Sequence, residues 1–260
     1  MRPIELDLNG DAGTAWGNLG FWETGADYPR AAERLARRIG DLAQLASARR
    51  MLDLGFGPGE QWRLWQEDFG VDEIVGFEPD AGHCAWAEQR RRPQDRIHCA
   101  AASAVADHII PGSVDAVVAV DAAYHFEDRC ELLATLGRCL RPTGRAAWSD
   151  LLLTSGAERP GPVLRALLAS AGIPAENLLS PERYGDALTG AGWRDVSLVR
   201  VDAEVLAGFA DWWSTRRPRR MHPRMWLRAE FTARLLSANR RGGWLGYVLV
   251  SAAPPEETGD

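Results

Sequence analysis

The chain contains no lysine. All 30 of its basic residues are arginine, set against 36 acids for a net charge of −6. Without a lysine amine there is no Schiff-base chemistry, no pyridoxal-type anchoring and no P-loop, whose GK[ST] string needs that residue. Cysteine is scarce. Cys84, Cys99, Cys130 and Cys139 form no C-x-x-C pair. No metal-ligand spacing appears, so no metal is expected, and the thiols read as reduced in a cytoplasmic protein. The opening residues, MRPIELDLNGD, offer neither a basic stretch nor an apolar one, so no signal peptide is expected. No apolar run reaches the length of a membrane span. The acidic balance argues against a general nucleic-acid binder. A length of 260 residues is enough for one large α/β domain, or for one such domain with a small cap.

What the chain does have is a glycine-rich turn at Met51 to Gln61, MLDLGFGPGEQ. Met51 to Leu54 reads as a short buried strand that carries Asp53. Gly55, Gly57 and Gly59 follow at every second position, and Gln61-Trp62-Arg63-Leu64-Trp65 opens an amphipathic helix. A strand that runs through glycines into a helix is a nucleotide-binding arrangement. The missing Cβ atoms permit close approach, and the helix N-terminus presents unpaired N–H groups. Val75-Gly76-Phe77-Glu78 reads as a second strand ending in an acid, about twenty residues further on, where such folds bind ribose hydroxyls. The glycine spacing is G-x-G-x-G, one residue shorter than the dinucleotide fingerprint. With Asp53, the string D-x-G-x-G-x-G resembles motif I of the class I S-adenosylmethionine (SAM) methyltransferases. Glu78 matches that family's acid at the end of the second strand.

The core alternates strands and helices, the pattern of a parallel sheet covered on both faces. Strands are predicted at 50–54, 73–77, 96–100, 114–120, 145–152, 195–201 and 245–252, and helices at 28–45, 59–69, 80–91, 129–140 and 180–191. Leu140-Arg141-Pro142-Thr143-Gly144 resembles the family's L-R-P-x-G turn before strand 5. The fold class implied is α/β, a doubly wound, mostly parallel seven-stranded sheet with helical insertions on the substrate side. The division expected is an N-terminal arm and helix over 1–48, a SAM-binding core over 49–152, a helical insertion at 153–179, a core continuation at 180–202, a helical cap at 203–243, and a last strand with tail at 244–260. Helices are expected inside the insertion at 163–171 and inside the cap at 205–215 and 223–239. Trp212 to Arg220 interleaves aromatics with arginines, but reads better as an amphipathic helix with packed tryptophans than as a nucleic-acid patch.

The family resemblance implies SAM as cofactor and a small-molecule acceptor. It places Asp53, Gly55, Gly57, Gly59 and Glu78 around the cofactor, with Asp121 after strand 4. The string Asn18 to Glu23 with Asp27-Tyr28-Pro29 resembles the segment that folds over cofactor and substrate in this family. It makes Trp22 a candidate against the sulfonium and Tyr28 a candidate against the substrate. An acid often follows strand 3 in the family, but here the run is Cys99-Ala100-Ala101-Ala102-Ser103, which leaves Ser103 or backbone to meet the adenine. Asp121 to Arg129, DAAYHFEDR, resembles the E-S-x-H-H-x-x-D-R segment of small-molecule O-methyltransferases. His125 falls on the second histidine, and Tyr124 replaces the first as a substrate-side candidate. Asp150 matches a position where an acid orients that histidine. A histidine held by a carboxylate suits proton removal from a hydroxyl, so His125 and Asp150 are the catalytic candidates. N-methylation of a small amine, a nicotinamide-dependent oxidoreductase and a non-catalytic SAM-binding partner remain open alternatives.

Overall fold

The computed structural model describes residues 2–154, 161–216 and 220–256. Seven strands form one sheet in the order β3-β2-β1-β4-β5-β7-β6. They are β1 (Arg50–Leu54), β2 (Glu73–Phe77), β3 (Arg96–His98), β4 (Val114–Ala119), β5 (Leu140–Leu153), β6 (Arg194–Arg200) and β7 (Leu245–Ala253). The pairs among β1 to β5 are parallel, whereas β7 runs antiparallel to both β5 and β6. The helices are α1 (Tyr28–Leu42), α2 (Glu60–Glu67), α3 (Ala81–Glu88), α4 (Val105–His108), α5 (Arg129–Cys139), α6 (Pro162–Ser170), α7 (Pro181–Gly190), α8 (Gly208–Arg216) and α9 (Pro223–Gly242).

Local chemistry sets most of these boundaries. Asp27 caps α1 by accepting from the Arg30 N–H, and Asp80 caps α3 by accepting from the His83 N–H. Ser180 caps α7 by accepting from the Arg183 N–H, and Pro181 takes the first helical position. Alternation along each strand then sorts side chains onto two apolar layers. Met51, Ile74, Val118 and Ala147 face one layer with α1, α2 and the cap helices, while Leu52, Val75, Val117 and Trp148 face the other with α4, α5 and α7. Burial on both faces explains why the strands read as continuous apolar runs.

Three features depart from the sequence expectation. β5 begins at Leu140, because Leu140 pairs with Val114 before the register shifts, so the L-R-P-x-G turn is an irregular stretch inside the strand and not an approach to it. α4 is a single turn, too short to leave a periodic apolar pattern. The N-terminus, expected as an arm, carries a 3₁₀ segment at Ile4–Ala12, broken at Gly10. The insertion helix and both cap helices form close to their expected positions, with a π-helical turn at Ala203–Ala207 leading into α8. No helix among the described residues is long and apolar enough to cross a membrane.

Candidate active site

A cavity of about 460 Å³ opens at the carboxyl ends of β1, β2 and β4. In open α/β sheets this is where ligands bind, at the point where strand order reverses between β1 and β4. The core contributes Gly55 to Pro58, Gln61, Glu78, Ala101 to Ser103 and Asp121 to the lining, and the N-terminal arm contributes Ala15 to Asn18. Among the described residues, no cluster of three or more histidines, cysteines or acids could hold a metal ion.

The glycine turn has a steric reason for its composition. Gly55 has φ +67°, and a Cβ there would lie 2.6 Å from the Ala122 Cβ. Gly57 has φ +56° with open space where a Cβ would stand, so its backbone faces the cavity. Its N–H donates to Glu78 Oε2 at 2.9 Å, and the Asp80 N–H donates to Oε1 at 3.0 Å. Glu78 is thus a carboxylate fixed in the wall with lone pairs to spare. Gly59 caps α2 in the left-handed region and does not line the cavity.

Asp53 is fully buried behind this turn and does not line the cavity either. Its Oδ2 accepts from Trp62 Nε1 at 2.7 Å and from Gln61 Nε2 at 3.1 Å, while its Oδ1 has no hydrogen-bond partner among the described residues. Burial pushes its pKa up to about 8, the Trp62 and Gln61 hydrogen bonds pulling it back and Glu78 adding to the rise. Asp121, at φ +57°, is a junction. Its carboxylate accepts from the Leu19 N–H at 2.7 Å, Tyr124 Oη at 2.8 Å and Tyr247 Oη at 2.6 Å. Burial and the neighbouring carboxylate hold both tyrosines protonated, far above the usual phenol range. Tyr124 therefore serves Asp121 from below and does not line the cavity.

Trp22 and Tyr28 also leave the site. Both stack on Trp212 of α8, at ring distances of 5.3 and 5.0 Å. Tyr28 is buried and donates to the Asn18 carbonyl at 2.7 Å. These aromatics hold the arm to the cap, and neither reaches the cavity lining. Ser103 does line it, beside Ala101 and Ala102.

His125 lines the cavity, but the pairing with Asp150 does not occur. Its Nδ1 lies 3.0 Å from the Gly172 carbonyl, just beyond α6. Asp150 sits in the interior of β5, opposite Val248 of β7, and is fully buried. Alternation turns it toward α5 and α7, where Oδ2 accepts from Arg129 Nη1 at 2.6 Å and from Tyr184 Oη at 2.6 Å. Its neighbour Ser149 takes the opposite face and meets Tyr247 Oη at 2.9 Å.

Residues with no role in the sequence reading complete the lining: Glu5, Gln61, His83, Phe126 and Arg228. His83 lies between two carboxylates, with Nε2 3.4 Å from Glu5 Oε2 and Nδ1 3.5 Å from Glu78 Oε1. Burial alone would lower its pKa, but the two carboxylates outweigh that and push it up to about 10. The ring is an imidazolium at neutral pH. The signal was available in part, since one turn into a helix that follows Glu78 brings a side chain back over that acid. Nothing local marks Glu5 or Arg228.

The cavity suits S-adenosylmethionine. Glu5, Glu78, Asp121 and Glu127 give its wall an acidic balance over His83 and Arg228, which favours a cationic ligand. His83 Nδ1 is buried, without a hydrogen-bond partner among the described residues and 3.5 Å from Glu78 Oε1, so ribose oxygens would find a donor beside an acceptor. The small side chains at 101–103 leave room for a flat ring system.

Comparison with known proteins agrees. The family model described as a methyltransferase domain matches residues 52–148. The chain is 30% identical over 209 residues to erythromycin 3''-O-methyltransferase of Saccharopolyspora erythraea, covering 76% of this chain and 68% of that one. It is 31% identical over 144 residues to 27-O-demethylrifamycin SV methyltransferase of Amycolatopsis mediterranei, covering 53% of each. Among solved structures, a geranyl diphosphate methyltransferase with GPP and sinefungin superposes with TM-score 0.77 at 18% identity, over 97% of this chain and 94% of that one. A geranyl diphosphate C-methyltransferase of Streptomyces coelicolor A3(2), solved with S-adenosyl-L-homocysteine, gives 0.74 at 17% identity, over 97% and 93%. These structural likenesses concern the fold. The sequence relationship to the erythromycin enzyme spans more than two thirds of both chains, and the protein belongs to the class I S-adenosylmethionine-dependent methyltransferases.

Proposed function

We propose that the enzyme methylates a hydroxyl group of a small secondary-metabolite acceptor, with His125 as the base. One relative is named an erythromycin 3''-O-methyltransferase and another a 27-O-demethylrifamycin SV methyltransferase, which supports both the acceptor class and the oxygen. Bound in the cavity, SAM supplies an electrophilic methyl group on a sulfonium. The residues suited to hold it are the Gly55–Gly57 backbone, Glu78, His83 and the 101–103 wall.

The observation that carries the hydroxyl reading is the contact between His125 and Gly172. A carbonyl oxygen can only accept, so in the neutral ring Nδ1 carries the proton and Nε2 carries the lone pair. Nε2 is then free to take the proton that an alcohol must lose on methylation. Alcohols are far too weakly acidic to ionise unaided near neutral pH, so removing the proton during transfer is worth ~10²–10⁴-fold.

The test is a product assay. Purified enzyme, labelled SAM and a panel of hydroxylated and amine-bearing natural-product acceptors are incubated, and the methylated atom is located by NMR. A methyl ether is the expected product. A methylated amine as the preferred product would overturn the reading.

A further inference from the structure

The cofactor cavity is closed on one side by a segment held by tertiary contacts, with Leu6 and Leu8 buried and Asp7 accepting from the His222 N–H at 2.6 Å. Ile4–Ala12 is a 3₁₀ stretch whose path breaks at Gly10, with φ 59° and ψ −129°. Runs of 3₁₀ helix beyond a single turn are weak on their own, so ties to the rest of the fold must hold this one in place. One tie is made inside the cavity wall itself. Glu5 is only 5% exposed and lines the cavity. Its Oε2 lies 3.4 Å from His83 Nε2 on α3, and its Oε1 lies 3.7 Å from Arg228 Nη1 on α9. A buried carboxylate is tolerated only with such partners. Glu5 therefore joins three parts of the molecule around one cavity, namely the N-terminal segment, the core helix behind Glu78 and the cap.

The same imidazole also lies 3.5 Å from Glu78 Oε1. Glu5 and Glu78 thus share one cation. Asn9 braces the segment from within, its side-chain amide donating to the Glu5 carbonyl at 2.8 Å and to the Trp16 carbonyl at 3.0 Å. Trp16 is itself part of the lining.

We propose that Glu5 is the clasp of the cofactor cavity: paired with His83 and Arg228, it holds the segment Ile4–Ala12 closed over the bound cofactor and slows its release. Glu5 acts here as a positioning residue, and the inference rests on this cavity being the SAM site. When the segment opens, Glu5 leaves both partners, and His83 keeps Glu78 at 3.5 Å and Asp80 at 4.0 Å.

The test uses the full-length enzyme with S-adenosylhomocysteine as the probe. Calorimetry gives the dissociation constant and stopped-flow displacement gives the release rate for the wild type, Glu5→Gln, Glu5→Ala and Glu78→Ala. Hydrogen exchange follows the amides of 4–12 with and without the probe. The expected result is an affinity loss of about tenfold in both Glu5 variants, the worth of one charge-assisted contact, carried mainly by faster release. The probe should slow exchange of 4–12 in the wild type and much less in the Glu5 variants. A rise in KM for the cofactor should exceed any fall in kcat. Glu5→Gln keeps the volume, so a folding defect in Glu5→Ala does not spoil the comparison. If both Glu5 variants bind and release the probe like the wild type while Glu78→Ala binds weakly, the clasp is wrong. If Glu78→Ala also binds normally, the cavity is not the cofactor site, and the proposal fails with that reading.

Discussion

His125 Nδ1 faces the carbonyl oxygen of Gly172 at 3.0 Å. The partner is a backbone atom of the 153–179 insertion, so the tautomer of the histidine depends on where that insertion folds. Under the proposed mechanism this carbonyl takes the place of the expected carboxylate: it would orient the ring and leave Nε2 as the basic atom, without a negative charge beside it. His125→Ala should lower kcat by ~10²–10⁴-fold at saturating cofactor and acceptor. Affinity for S-adenosylhomocysteine should change little. Gly172→Ala adds a Cβ at φ +70°, which should shift the carbonyl and lower kcat by a smaller factor. Full turnover in His125→Ala would remove base catalysis from that residue.

Asp150 should behave as a structural residue. Its side chain is fully buried, and it pairs with Arg129, itself 3% exposed in the side chain, and with Tyr184. Replacing Asp150 breaks a buried ion pair, a change that costs about 3–5 kcal/mol. In a chain of this size that is a fall in Tm of roughly 10 °C. Asp150→Asn should therefore lower Tm strongly, while the folded fraction keeps a kcat close to the wild type. Calorimetry beside active-site titration separates the two effects. A large kcat loss with an unchanged Tm would restore Asp150 to the chemistry.

The fold was legible wherever the signal was local. The glycine spacing, the acid at Glu78 and the apolar runs of β1, β2 and β4 each lie within a few residues, and backbone geometry turns them into structure with little outside help. Gly55, Gly57, Glu78, Ser103, Asp121 and His125, all read from the sequence, come together at the cavity. The errors share one cause. Trp22, Tyr28 and Tyr124 are large, chemically useful side chains that lie close to the site in sequence, but packing claimed them. Asp150 was read as the acid that orients His125, although alternation within β5 assigns it to the face opposite Ser149. Glu5 and Arg228 reach the cavity only through tertiary contacts, from the two ends of the chain. No window of sequence contains both.

Asp53 makes stability depend on pH. Its folded pKa, about 8, lies above the unfolded value of 3.8, because burial penalises the charged form. A group raised in this way binds its proton more tightly when folded. Its contribution is fully present below the unfolded value and is lost as pH rises through the folded one. The ligand-free enzyme should therefore lose stability between about pH 4 and pH 8 through this group. Asp53→Asn should remove the Asp53 part of that slope, and the variant's stability should approach or exceed that of the wild type near pH 8. Urea unfolding across this window measures the difference. A wild type and variant with parallel pH profiles would show that Asp53 ionises normally in the folded state.

The last prediction concerns the aromatic stack that joins arm and cap. Trp212 of α8 is 7% exposed and stacks against both Trp22 and Tyr28, whose rings lie 6.3 Å from each other, with Phe209 and Trp213 beside it. Trp226 of α9 is 38% exposed, in the same cap. The two residues have the same side chain and opposite surroundings. Trp212→Ala should cost about 3–5 kcal/mol, as large-to-small changes in packed cores do. Trp226→Ala should stay within about 0.5 kcal/mol of the wild type. The loss at Trp212 should also reach the cofactor. Trp22 is next to Phe21, whose N–H bonds the Ala31 carbonyl, and its own N–H bonds the Glu204 carbonyl. The stack therefore fixes the arm just after residues 15–18, which line the cavity. Trp212→Ala should weaken S-adenosylhomocysteine binding even at temperatures where the variant is fully folded, whereas Trp226→Ala should not. If Trp212→Ala binds the cofactor as tightly as the wild type, the arm holds its place without the cap, and the stack is only a contribution to stability.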